Sequence, residues 1–186
     1  AAYDLEAAQA EYLALIQEDY RNTFAHDGLA RARFLAGNLE EAATTLQVAA
    51  RIAPENFRFQ FNLGIILHLL ERHQEAAAAF SAAVAIGADD DVMRAEALTG
   101  LGLSQMRAGQ FATAVTNLKE AVTADPNADR EYLALTARYR AGEGAELLPD
   151  TLDAAQRTGD YRFDLLAGRI YRDPRDFTSS DNRLDR

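Results

Sequence analysis

The sequence predicts an all-α fold, a solenoid in which antiparallel helix pairs stack side by side. Three observations carry this. Ala42 and Ala76 lie 34 residues apart, each within the same spaced set of small and bulky residues, and a period of that length marks a helical repeat array. Apolar residues recur at three- and four-residue spacing and no segment reads as a strand. Gly37 and Gly109 fall where one helix of a pair must end, and glycine permits the positive φ of such a turn.

Taken in order, residues 1–22 hold one helix over residues 3 to 20. Its Leu5, Ala8, Tyr12 and Leu15 align with the second helix of a unit, because Ala8 lies 34 residues before Ala42. It is either the second half of a repeat whose first helix lies upstream or a lone cap. Ala1 in place of methionine fits processing or truncation. The first full unit, 23–56, carries Leu29, Ala30, Gly37, Leu39, Ala42, Leu46, Ala49 and Pro54. The second, 57–94, repeats this as Leu63, Gly64, Ala76, Phe80, Ala83 and Ala88, and the third, 95–128, as Leu101, Gly102, Gly109, Phe111, Ala114, Leu118, Ala121 and Pro126. Small residues at 64 and 102 let paired helices approach, alanines at 42, 76 and 114 mark crossings, and Leu46, Phe80 and Leu118 fill the space between layers. Pro54 and Pro126 stop the second helices.

Ala76 and Ala114 are 38 residues apart, four more than the period, and the excess falls in 87–92 with Asp89, Asp90 and Asp91. A longer acidic loop into the third unit is expected, with aspartates capping the next helix. Residues 129–160 form a degenerate unit: Tyr132, Leu135 and Tyr139 mark its first helix, Thr136 replaces the small residue, and Leu148 replaces the crossing alanine. Pro149 fits the first turn of a helix over 147–157. A capping helix over 161–172 presents Phe163, Leu166 and Ile170 on one face, and 173–186 reads as a mobile polar tail.

These units resemble the tetratricopeptide repeat, whose signature is leucine then a small residue, a turn glycine, an alanine, a bulky residue four later, an alanine three later and a closing proline. Three units in register carry the resemblance. It implies a right-handed α-solenoid of antiparallel pairs with about eight to ten helices, its first helices lining a concave surface.

The helix Phe57–Glu71 is apolar on two sides. Leu63, Gly64, Leu67 and Leu70 supply the packing face, while Phe57, Phe61, Ile65 and Leu69 form a second stripe at four-residue spacing. The resemblance places this stripe on the concave surface with Phe34, Leu35, Leu103 and Met106. An exposed stripe of this kind marks a protein-binding groove, into which a partner helix can be laid. Arg31, Arg58, Arg107 and Arg140 are expected to anchor carboxylates or backbone. The alternative is that neighbouring first helices, or the C-terminal segment, cover part of the stripe. In relatives that clamp a chaperone's C-terminal carboxylate, the first helices supply lysines, arginine and asparagines. Here only Asn62 falls on such a place, with Asp27, Arg31, Glu96 and Gly100 at the others, so the cationic pocket is missing.

Composition narrows the partner. The net charge of −10 over 186 residues opposes phosphate backbones and anionic lipid, so the expected partner is a neutral to basic protein segment with apolar anchors, not nucleic acid or membrane. No apolar run reaches the roughly 20 residues of a membrane span. Cysteine is absent, and one lysine stands against eighteen arginines with abundant alanine, as in a GC-rich bacterial genome. His68 and Glu71 lack the further histidine of an inverted zinc motif, since Arg72 stands there and His73 is expected to point elsewhere. His26 is isolated near a helix start, and neither a nucleophile triad nor a phosphate loop is present. The expectation is a non-catalytic scaffold or adaptor, with no metal or cofactor, in assembly of a bacterial envelope, pilus or secretion complex. Two other readings stand beside it: the repeat arm of a larger enzyme, and a self-assembling array whose repeat ends stack between chains.

Overall fold

The computed structural model describes residues 4–172, and among them the only regular structure is helical. The order is α1 (Leu5–Glu18), α2 (Thr23–Leu35), α3 (Leu39–Ile52), α4 (Phe57–Leu69), α5 (His73–Ile86), α6 (Asp91–Arg107), α7 (Phe111–Ala124), α8 (Ala128–Arg140), a 3-10 turn (Ala145–Leu147), α9 (Leu148–Thr158) and α10 (Tyr161–Tyr171). Each helix packs on the next along the chain, and α4 also meets α6, as α6 meets α8. The array is therefore a solenoid with α2, α4, α6, α8 and α10 as first helices. The segment 173–186, expected to be a mobile tail, lies outside the described residues.

Local chemistry sets the boundaries. Every first helix begins at an Asx cap whose side chain accepts a backbone N–H: Asn22, Asn56, Asp90, Asn127 and Asp160. The second helices α3, α5, α7 and α9 begin without such a bond, directly after a tight turn. Gly37 and Gly109 make that turn at φ 82° and 76°. Glu71 makes the corresponding turn between α4 and α5 at φ 59°, a left-handed conformation that costs a non-glycine residue about 1 kcal/mol.

The four surplus residues before the third unit do not form a longer loop. The α5–α6 connection, residues 87–90, equals the α3–α4 connection, residues 53–56, in length. Instead α6 has 17 residues where α4 has 13. Asp90 is the cap and Asp91 the first-turn anion, held to Arg94 at 2.7 Å. Once capped, the chain gains more by continuing the hydrogen-bond ladder than by looping out.

The layers interlock through rings set on glycines. Phe80 of α5 is 3% exposed; a methyl at Gly64 of α4 would stand 2.8 Å from its ring, and one at Gly100 of α6 would stand 2.5 Å away. Tyr12 of α1 sits in the same way on Gly28 of α2, at 2.3 Å, and Leu118 of α7 on Gly102 of α6, at 2.5 Å. Such distances exclude any side chain unless the knob moves.

The fourth unit departs from expectation at one point. Leu148 does not take the crossing place; it is the first residue of α9 and only half-buried. Thr151 is fully buried at the fourth place of the helix, where Ala42, Ala76 and Ala114 stand in α3, α5 and α7, and its hydroxyl donates to the Leu147 carbonyl at 2.8 Å. The 3-10 turn shifts the register by three residues. Leu135, Leu147, Ala154, Phe163, Leu166 and Ile170 then close a separate C-terminal core.

Candidate binding groove

The first helices line two adjoining recesses and a third at the N-terminal end. A cleft of about 500 Å³ between α4 and α6 has Phe61, Ile65, Leu69 and Leu103 on its apolar side. Its polar side is His68, Glu96, Thr99, Asn127, Asp129 and Arg130. Ile65 is 36% exposed and Leu69 52%. A second recess of about 300 Å³ gathers Arg31, Phe34, Arg58, Asn62 and Ile65, with Asp27. Leu35 and Arg31 reach the third, beside Leu5, Ala8, Tyr12 and Gly28.

Several expected groove residues are buried or tied up in contacts of their own. Phe57 is buried rather than part of an open stripe, stacked on Phe61 at 5.3 Å. Phe61 in turn meets Phe80 edge-on at 5.7 Å, so its ring belongs half to the core. Met106 packs partly buried against the core of Ala114, Leu118, Ala134 and Ala137. Arg58 is tied to Asp27 at 2.8 Å, and the Arg140 guanidinium lies 5.2 Å over the Phe111 ring. Arg107 is exposed and lines none of the three recesses. The clamp place at residue 100 is closed by geometry, since the Phe80 ring fills the space of any side chain there.

The sequence reading missed Arg130, which lines the cleft between α4 and α6 yet is 7% exposed. Its guanidinium donates to the Asp125 carbonyl at 2.8 Å, the Asp125 carboxylate at 2.5 Å and the Thr99 hydroxyl at 3.2 Å. A detectable signal existed. Arg130 is the third residue of α8, and Ala25 of α2, Phe59 of α4 and Phe163 of α10 hold the third place of their helices; all are buried. An arginine at a place that the repeat buries has to be paired.

His68 also differs from expectation. Its Nδ1 lies 2.9 Å from the Ser104 hydroxyl, and the His73 ring approaches to 5.1 Å rather than pointing elsewhere. Burial, the neighbouring His73 and Arg107 together push the His68 pKa below its ordinary value. The unfolded chain therefore takes up a proton more readily. Stability present above about pH 6.5 is lost as pH falls from there through the folded-state pKa. Between pH 7 and about pH 5 the melting temperature of the chain should fall more than that of His68→Gln; equal slopes in thermal melts would refute this.

Among the described residues no group of three or more histidines and carboxylates is placed to hold a metal ion. None of their helices is long and apolar enough to cross a membrane. His26 is buried, its Nε2 2.9 Å from the Tyr20 carbonyl oxygen, which holds the start of α2.

Two family models described as tetratricopeptide repeat match residues 1–57 and 57–127. The chain belongs to the tetratricopeptide-repeat family. Solved structures agree on the fold: YrrB, described as a tetratricopeptide-repeat protein with an unusual peptide-binding site, is 23% identical, with 90% of this chain and 84% of that one covered and a TM-score of 0.76. MamA from Desulfovibrio magneticus RS-1 is 18% identical, covering 91% and 87%, with a TM-score of 0.68. The Pseudomonas aeruginosa pilF product is 17% identical, covering 89% and 82%, with a TM-score of 0.64. No curated protein matches the sequence. Tetratricopeptide repeats are generally non-catalytic protein-interaction modules, and membership supports a protein-interaction scaffold.

Proposed function

We propose that this tetratricopeptide-repeat protein is an adaptor whose concave face holds a peptide segment, seated chiefly between α4 and α6. The observation that supports it is the open apolar side of that cleft. Ile65 and Leu69 stand in the middle of the array, where neighbouring layers already cover every side that packing requires, and they remain exposed. Two aliphatic residues on the wall of a recess, rimmed by polar groups, suit an apolar anchor on a partner. Glu96 carries no ion pair among the described residues, so the rim favours a basic neighbour to that anchor. The setting we propose, from family membership and composition, is assembly of a bacterial envelope, pilus or secretion complex.

Because Phe61 is partly core, the discriminating variant is Ile65→Glu with Leu69→Glu. Peptides selected from a random library on the intact chain should bind this variant at least about 30-fold more weakly, near 2 kcal/mol, by fluorescence anisotropy. Helical circular dichroism and melting should stay close to those of the parent. Unchanged binding of the selected peptides would overturn the groove assignment.

A further inference from the structure

We propose that the first and last described helices dock on each other between copies, α10 of one chain completing a repeat with α1 of the next. The argument rests on residue-by-residue equivalence. Aligned by helix start, α10 repeats α4: Phe163, Ala167 and Ile170 stand where Phe59, Leu63 and Ile66 stand, and all six are buried against the preceding layer. The opposite face of α4 packs on its own second helix, α5. There Phe57 shares a core cluster with Ala83, Phe61 meets the Phe80 ring, and Gly64 receives that ring. On α10 the corresponding residues are Tyr161, Leu165 and Gly168, followed by Tyr171 in the place of Leu67. Tyr161 is 70% exposed, Leu165 57% and Tyr171 74%. A methyl on Gly168 would meet only the end of Arg172, at 3.7 Å. This is a first-helix face with no second helix against it among the described residues.

The other end supplies the complement. Ala8, Tyr12 and Leu15 of α1 lie 68 residues before Ala76, Phe80 and Ala83 of α5. Phe80 is held between Gly64 and Gly100, whereas Tyr12 sits on Gly28 and borders an open recess lined by Leu5, Ala8, Gly28 and Leu35. Leu15 is 37% exposed, although Ala83 at its place is fully buried. Gly168 of a second copy fits beside Tyr12 as Gly64 fits beside Phe80, with Leu165 against the tyrosine ring and Tyr161 against Leu15. Charge favours the same pairing. The helix α1 contains Glu6, Glu11 and Glu18 and no basic residue, with Asp4 and Asp19 at its ends. On α10, Arg162 is taken up by Asp160 and Asp129, which leaves Arg169 and the following Arg172 for an acidic partner. Head-to-tail contact of unlike ends is heterologous and does not close at a dimer, so association should grow with concentration and weaken with salt.

The test is light scattering on the 186-residue chain across concentration. The mass should rise above the 20.4 kDa of one chain, and further at low salt. Gly168→Leu, which fits the free chain but fills the socket, should hold the mass at one chain with melting unchanged. Leu15→Glu and Leu165→Glu each spoil one end only, so each alone should stay monomeric while their mixture should form a 1:1 pair of twice the single-chain mass. Single-chain mass at every concentration, or association that survives Gly168→Leu, would overturn the proposal. Either would leave the groove of α4 and α6 unaffected.

Discussion

Phe80→Ala should lower the unfolding free energy by about 3–5 kcal/mol, the cost of emptying a fully packed aromatic site. Phe80 is the knob shared by two layers, pressed on Gly64 within its own unit and on Gly100 of the next. Its loss removes contact on both sides at once. A solenoid draws its cooperativity from interfaces between neighbouring units, so the damage should go beyond a lower midpoint. Chemical denaturation is expected to broaden, because residues before α5 and residues after α6 are no longer forced to melt together. The paired experiment enlarges the socket's floor. Gly100→Ala alone should destabilise by about 1–3 kcal/mol, and Phe80→Leu should recover part of that loss in a double-mutant cycle. Additive effects would show that ring and glycine do not meet as described.

Asp125→Ala should cost roughly 2–4 kcal/mol, although the residue lies at the end of α7 in a part-exposed position. The reason is the group left behind. Arg130 keeps 9% of its side-chain surface in water, and the Asp125 carboxylate is the charge that compensates it. Removing one member of such a pair strands the other in a poorly hydrated place. Arg130→Met, which replaces the buried charge with an apolar chain, should cost less than Asp125→Ala, by urea unfolding at neutral pH. The opposite order would show the pair to be replaceable surface chemistry. Both variants also test the polar wall of the cleft between α4 and α6, since Arg130 lines it.

The repeat was legible because it is written in residues whose roles do not depend on distant neighbours. Gly37 and Gly109 turn, Ala42, Ala76 and Ala114 permit crossing, and Phe80 and Leu118 fill layers wherever the period places them. Glu71 was not legible as a turn, since nothing about glutamate announces a positive φ; the hydrogen bonds around it, from Glu71 N–H to His68 and from Arg72 N–H to Leu67, impose it. The candidate groove was half legible for a related reason. Four-residue spacing finds a second apolar stripe on α4, but it cannot tell that Phe57 and Phe61 are consumed by stacking while Ile65 and Leu69 are left open. Arg130 escaped because arginine is ordinarily a surface residue, and only comparison with the buried third places of α2, α4 and α10 shows that this one is buried too.

The added turn of α6 has a consequence for how this chain can vary in length. Helical residues advance about 100° each, so four of them rotate the following side chains by about 400°, within about 40° of a whole revolution. Leu98, Leu101 and Gly102 therefore still face their layers despite the surplus. Two residues more or fewer would swing them by about 200° and present Leu101 to water. Insertions here act like teeth on a gear: the helix accepts a near-whole turn and rejects a fraction of one.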